Sequence, residues 1–152
     1  MMAAAAILVV AAAAVLAVFL LREPKLVLSN DEPGKVYSRL PLKDGDSFSV
    51  TFRHSVNKSD VTEIYQRRGR EIWLTGCVYY GFGAGVAEVL EPGWTLENGD
   101  NGEMIIGNIE MKMNDLTYIV GTVYDHILEV NGERIVLNDL CGKNAKVHFS
   151  IK

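Results

Sequence analysis

The sequence predicts an all-β domain, an antiparallel sandwich or small barrel, preceded by one N-terminal transmembrane helix. Three observations support this fold class: a long apolar run at the start, apolar and polar residues alternating with period two after Pro24, and turn residues every eight to twelve positions. A chain of 152 residues has the length of one domain. We therefore assign residues 1–22 to a membrane anchor or signal segment and residues 25–152 to the β domain.

The N-terminal segment is apolar without interruption from Ala3 to Leu21. As a helix it would be roughly 28 Å long, close to the thickness of the hydrocarbon core of a bilayer. It has no polar stripe, and its small-residue cleavage pattern lies inside the run, which favours an uncleaved anchor. Arg22 and Lys25 follow the run, which on charge alone favours a cytoplasmic domain, but Glu23 partly offsets them. We expect a single-pass protein of the cytoplasmic membrane, with its domain on the extracytoplasmic side.

Eleven strands are expected after Pro24, and helix should be scarce because no apolar period of 3.6 residues is sustained. The clearest strand alternates Phe48, Val50 and Phe52 with polar residues. Asn131-Gly132 predicts a two-residue hairpin turn. Residues 97–102 read as a polar, mobile loop. The expected strands are 25–29, 35–42, 47–54, 61–68, 71–80, 103–106, 108–113, 116–121, 125–130, 133–137 and 145–151.

Composition and charge exclude some classes of partner. The net charge is -4 and there is no basic block, which argues against a nucleic-acid partner. Cys77 and Cys141 are isolated and cannot form a structural zinc site alone. They are interpreted as small, half-buried apolar residues, although outside the cytoplasm they could pair. No cofactor is expected.

Strand parity sorts the histidines by face. His148 should point to water, whereas His54 and His126 should share a face with apolar residues. If residues 55–60 form the hairpin loop, Glu63 is a diagonal neighbour of His54, at roughly 7–8 Å between Cα atoms. Three interpretations remain open: a His–Glu pair that fixes the hairpin, a polar pocket for a small ligand, and a metal site that also includes His126.

Two further motifs have a structural and a functional interpretation. Ser55 follows His54 directly, so the two side chains point to opposite faces and make a poor nucleophile–base pair. The segment from Gly81 to Gly85 has the spacing G-x-G-x-G, not that of a dinucleotide fingerprint. It is either a tight bend after a strand or the mouth of a binding site with Tyr79, Tyr80 and Phe82 as walls.

The segments 52–65 and 80–85 resemble a bacterial family of small proteins of unknown function, often encoded beside TAXI-type TRAP transporters. The first match is carried by His54, Ser55, Val56, Lys58, Val61 and Glu63, and the second by Phe82 to Gly85. The segment 124–126 is similar but less specific, and Val86-Ala87 departs from the proline that the family usually has. The resemblance implies association with solute uptake at the cytoplasmic membrane and supplies no activity.

The leading hypothesis is therefore a membrane-anchored binding module, not an enzyme, that contacts transporter subunits or a solute-binding protein. Its membrane contact would be residues 3–21. The alternatives are a small-ligand or metal-dependent enzyme using His54, Glu63 and His126, and a purely structural domain. The candidate ligand- or partner-binding residues are His54, Ser55, Lys58, Glu63, Tyr80, Phe82, Gly83, Ala84, Gly85 and His126.

Overall fold

The computed structural model describes residues 23–56, 58–80 and 90–152. The expected anchor, residues 1–22, and the glycine-rich segment, residues 81–85, lie outside the described residues. Within the described residues the chain forms twelve strands and one short helix. In chain order these are β1 (Lys25–Ser29), β2 (Val36–Pro41), β3 (Ser47–Arg53), β4 (Asp60–Arg68), β5 (Glu71–Tyr79), β6 (Thr95–Asn98), β7 (Met104–Gly107), β8 (Met111–Met113), β9 (Leu116–Ile119), β10 (Ile127–Val130), β11 (Glu133–Val136), α1 (Leu137–Cys141) and β12 (Lys146–Ile151).

Two antiparallel sheets make up the fold. The smaller sheet has the order β2-β1-β12-β9, and the larger has the order β11-β10-β3-β4-β5-β7-β6, with β8 also paired to β5. The inner faces of both sheets contribute to one apolar core. Phe48 of the larger sheet stacks on Phe149 of the smaller one, with 5.9 Å between ring centroids. The structure thus confirms the all-β prediction and, of its two forms, has the sandwich arrangement.

The predicted alternation and the predicted hairpin turn both form. In β3, Phe48 and Val50 are buried between the sheets, while Ser47 and Ser49, which alternate with them, face outward. Asn131 and Gly132 adopt φ angles of 52° and 76°, the left-handed conformation that a two-residue type I′ turn requires. Val130 pairs with Glu133 and Leu128 with Ile135, which is the predicted register.

The chain enters the domain at one end of the strands, which we call the proximal end. There the backbone of Lys25 exchanges two hydrogen bonds with that of Lys152. The buried guanidinium of Arg67 donates to the carbonyls of Pro24, Leu42 and Gly69. Carbonyl acceptors thus satisfy a buried cation and fix the first residues of β1 against the end of β4. The opposite end, where β3 ends and β4 begins, is called the distal end.

Two expected elements differ from the structure. Residues 97–102 were predicted to be a loop, but β6 covers the first two of them. All four residues of β6 are exposed, so it has no alternation to detect. The expected strand over residues 108–113 is shortened to β8. Asn108 has a φ of 57°, which turns the chain out of an extended conformation.

Helix is as scarce as the sequence predicted, since α1 is the one helix in the described part of the chain. Among the same residues, no helix combines the length and the apolar character needed to cross a bilayer.

Candidate functional site

The β3–β4 hairpin is tighter than the sequence predicted. Phe52 pairs with Val61 and Val50 with Glu63, and the N–H of His54 still donates to the carbonyl of Ser59 at 2.8 Å. The turn therefore spans only residues 55–58, and the predicted register is wrong by two residues. Four positions of β3 separate His54 from the partner of Glu63, a distance of roughly 13 Å along the strand. The predicted diagonal His54–Glu63 pair is therefore wrong.

Glu63 faces inward, as its parity predicted, but its partners are tyrosines. The hydroxyl of Tyr65 donates to Glu63 Oε2 at 2.9 Å, and the hydroxyl of Tyr118 donates to the same oxygen. The two hydroxyls lie 2.7 Å apart. Tyr118 belongs to β9 of the smaller sheet, so this triad joins the two sheets through polar contacts inside the core. We call these three residues the inter-sheet triad.

The groups around Glu63 hold their protons. Burial raises the pKa of both Tyr65 and Tyr118 well above the ordinary value for a phenol, and the nearby Glu63 charge raises each further. Cys77 lies opposite Glu63 in the β4–β5 ladder, and burial followed by the same charge raises its pKa to about 11. Because only a thiolate is a good nucleophile, this arrangement suits hydrogen bonding better than covalent chemistry.

His126 lies beside the triad in the aromatic layer. Its ring stacks on Phe52 at 5.5 Å and meets the ring of Tyr118 edge-on at 5.9 Å. Its Nδ1 accepts a hydrogen bond from the N–H of Gly121 at 3.1 Å. Burial lowers the pKa of His126, with Asp125 opposing that effect. The imidazole is thus held neutral, with its proton on Nε2, because Nδ1 must act as an acceptor.

Asn138 holds both ends of the loop 121–126. Its Oδ1 accepts from the N–H of His126 at 3.1 Å, and its Nδ2 donates to the carbonyl of Gly121 at 2.9 Å. The side chain is buried at 9% exposure, so both hydrogen bonds are shielded from water. A Cβ at Gly121 would collide with the carbonyl oxygen of Tyr124, so glycine permits this loop to close. The loop is fixed from inside the fold.

Exposed apolar side chains concentrate at the distal end. In turns or strand ends there, Val56 is 66% exposed, Tyr80 50%, Val123 79% and Tyr124 40%. The guanidinium of Arg53 lies over the ring of Tyr124, 5.2 Å from its centroid, which ties the loop to the end of β3. These positions follow or precede the adjacent strands β10, β3, β4 and β5, which together span roughly 15 Å. We call Val56, Tyr80, Val123 and Tyr124 the distal rim.

The structure brings five of the sequence-predicted site residues to this end. Ser55 and Lys58 lie in the β3–β4 turn, His54 directly precedes it, Tyr80 follows β5, and His126 precedes β10. His54 is partly exposed, and its Nδ1 accepts from the N–H of Val56 at 3.3 Å, so the imidazole shapes the turn. Glu63 lies inside the fold instead. The remaining four predicted residues, Phe82, Gly83, Ala84 and Gly85, lie outside the described residues.

Several residues of this region were not predicted from the sequence. Tyr65 has the parity of Glu63 and could have been found by that signal. Tyr118 comes from the other sheet, and nothing in its local sequence indicates a partner at position 63. Val123 and Asn138 likewise depend on how the loop closes. Within the described part of the chain, no group of three His, Cys, Asp or Glu residues is placed to hold a metal ion.

His148 lies on the outer face of the smaller sheet, as predicted, but between two carboxylates. Its Nε2 is 2.5 Å from Asp31 and its Nδ1 is 3.1 Å from Asp115. Lys146 approaches Asp31 at 3.0 Å. Hydrogen bonding to Asp31, then to Asp115, raises the pKa of His148. The bonds to Lys146 and then to His148 lower the pKa of Asp31. This cluster joins two turns across β12.

A protein-family model matches the central part of the chain. Residues 48–137 match a family model described as "Domain of unknown function (DUF1850)", and they run from β3 to the start of α1. The match covers more than half of the 152 residues and includes Glu63, Tyr118 and His126. Comparison with curated proteins gave no match, and comparison with solved structures gave none. The inter-sheet triad and the distal rim lie inside the matched segment, and Asn138, which holds the loop 121–126, directly follows it. By this match the chain belongs to the DUF1850 family.

Proposed function

We propose that the protein is a membrane-anchored, extracytoplasmic accessory module of a TAXI-type TRAP solute transporter, and that it binds a protein partner through the distal rim. The anchor is the apolar run from Ala3 to Leu21. The transporter association follows from the resemblance of the segments 52–65 and 80–85. The described structure adds a surface with the composition of a protein-binding site.

The distal rim carries the proposal. Large apolar side chains are exposed in four neighbouring strand ends, and two of the four are tyrosines, a residue type enriched at interface hot spots. The loop that presents Val123 and Tyr124 is fixed by Asn138 and His126. A fixed loop loses little conformational freedom on binding, so its contacts contribute more of their energy to affinity.

The titratable groups beneath the rim favour binding over covalent catalysis. The carboxylate of Glu63 is engaged by two phenols, and Cys77 keeps its proton at neutral pH because its pKa is about 11. The Nδ1 lone pair of His126 is occupied by the N–H of Gly121. These groups stabilise the layer on which the rim rests.

The test is uptake of the transporter's radiolabelled solute in a strain that lacks this protein. The wild-type chain should restore uptake. A chain carrying Val123→Asp should leave uptake at the level of the deletion strain, because a charge on the rim opposes burial of an apolar contact. Met111→Asp is the matched control, since Met111 is also exposed, at 46%, but lies on β8 away from the rim. That control should restore uptake.

Abundance of each variant in the membrane fraction is measured alongside uptake, so that loss of binding is separated from loss of protein. Unchanged uptake in the deletion strain would refute the transporter association. Full activity of Val123→Asp at normal abundance, together with Tyr124→Asp, would refute the assignment of the rim.

A further inference from the structure

We infer that the distal rim recognises a water-soluble protein, namely the transporter's solute-binding protein, and that it does not contact the membrane-embedded subunits. This inference rests on the proposed function and specifies the partner. It follows from where the chain enters the domain, how short its tether is, and how far the rim lies from that point.

The first step is the position at which the anchor joins the domain. Lys25 begins β1 at the proximal end, where its backbone pairs with that of Lys152. The carbonyl of Pro24 accepts a hydrogen bond from the buried guanidinium of Arg67 at 3.1 Å. The chain is therefore already fixed to the domain at residue 24. Any segment before it must approach from the proximal end.

The second step is the length of the tether. The apolar run ends at Leu21 and β1 begins at Lys25, so four residue steps connect them, at most about 14 Å of extended chain. Because Pro24 is held by Arg67, the free part of the tether is shorter still. The proximal end must then lie close to the membrane surface, and β4 must connect that end with the distal end farther from the membrane.

The third step is the height of the rim. Arg67 and Asp60 lie at opposite ends of β4, seven residues apart, which is roughly 23 Å. The turn that carries Val56 extends beyond Asp60, and the loop that carries Val123 lies beside it. The rim therefore stands roughly 25 Å or more above the end that faces the lipid. A protein confined to the bilayer and its headgroups lies below that level.

The fourth step is the chemistry of the rim. Its apolar centre is bordered by exposed residues of both charge signs, Lys58, Asp125 and Arg134. A small apolar patch with a mixed polar border is typical of transient contacts between soluble proteins. A surface that binds anionic lipid would instead carry a cluster of about four to eight Lys or Arg residues. The border of the described rim has three cations, Arg53, Lys58 and Arg134, and the carboxylates of Asp60 and Asp125 lie among them.

The test is site-specific photo-cross-linking in cells that carry the full-length chain, the solute-binding protein and both membrane subunits, each with a different epitope tag. A benzophenone amino acid replaces Val123, or in a second strain Val56. The matched control replaces Arg70, an exposed residue of the turn at the proximal end. Normal abundance in the membrane fraction and unchanged resistance to limited proteolysis identify the strains in which the chain remains folded.

We expect the probes at Val123 and Val56 to yield an adduct with the solute-binding protein, at least tenfold more than the probe at Arg70. Adducts from Val123 with a membrane subunit would overturn the inference while leaving the transporter association in place. An absence of adducts with every tagged subunit would overturn the inference and the assignment of the rim, whereas the transporter association is decided separately by uptake in the deletion strain. Equal adducts from Arg70 and Val123 would refute the orientation of the domain.

Discussion

The inter-sheet triad should contribute measurably to stability, and Tyr118→Phe is the change that tests it. The substitution keeps the ring, with its contacts to Phe52, His126 and Phe149, and removes only the hydroxyl. That hydroxyl is the donor from the smaller sheet to Glu63. Its loss leaves the carboxylate with one phenolic donor in a half-buried position.

The expected loss can be worked from the contacts. A hydrogen bond to a charged group contributes about 1.5–3 kcal/mol, and a half-buried carboxylate such as Glu63 recovers part of this from water. We therefore expect the free energy of unfolding to fall by about 1–2 kcal/mol. For a domain of this size each kcal/mol corresponds to about 4 °C, so Tm should fall by about 4–8 °C.

The assay is urea unfolding of the purified full-length chain in detergent, followed by fluorescence and checked by thermal unfolding. Tyr37→Phe is the matched control, because the Tyr37 ring also packs on the core while, within the described structure, its hydroxyl forms no hydrogen bond. A double-mutant cycle with Glu63→Gln isolates the pairwise energy between positions 63 and 118. Equal effects of Tyr118→Phe and Tyr37→Phe, or a coupling energy near zero, would refute the triad as a stabilising contact.

Two other substitutions and one thiol titration test separate features of the structure. Gly121→Ala should displace the loop 121–126, because the added Cβ would collide with the Tyr124 carbonyl oxygen. We expect partner binding, measured by pull-down, to weaken at least tenfold, with little change in secondary structure by circular dichroism. Normal binding would contradict the tight closure of the loop. The pKa of His148 is raised from 6.5 in the folded protein, so protonation of His148 stabilises the fold. This stability is fully present below pH 6.5 and is lost as the pH rises through the raised pKa. The free energy of unfolding of the wild type should therefore fall between about pH 6 and pH 9 more steeply than that of His148→Gln. Identical slopes would refute the contact with Asp31. Cys77 and Cys141 are both free, so a thiol reagent should titrate two thiols after unfolding without reductant; none would indicate a disulfide.

The parts of the fold that the sequence predicted are those set by local pattern. The alternation of Phe48, Val50 and Phe52 placed β3 correctly, and the Asn131-Gly132 dipeptide gave both the turn and the register of its hairpin. In each case the signal lies within a few residues. Each hairpin connection then identifies the strand that pairs with the one before it.

The parts that escaped prediction depend on turn length or on contacts distant in sequence. The segment from Ser55 to Lys58 has no turn dipeptide as specific as Asn-Gly, so the extent of the β3–β4 loop was open, and an error of two residues moved Glu63 along the sheet without changing its face. The contact between Glu63 and Tyr118 joins residues 55 positions apart in different sheets. No periodicity within either strand encodes it.

An apolar core alone would not hold the loop beside the distal rim in one conformation. Asn138 and the triad form directional hydrogen bonds, which permit one arrangement of the loop 121–126 where apolar packing would tolerate several. The loop carries Val123, whose side chain is 79% exposed and buries little apolar area in the free domain. A residue held in a fixed position would bind a partner with little further loss of conformational freedom, because the order is established before binding. The buried polar contacts and the exposed valine are thus two parts of the binding surface that we propose.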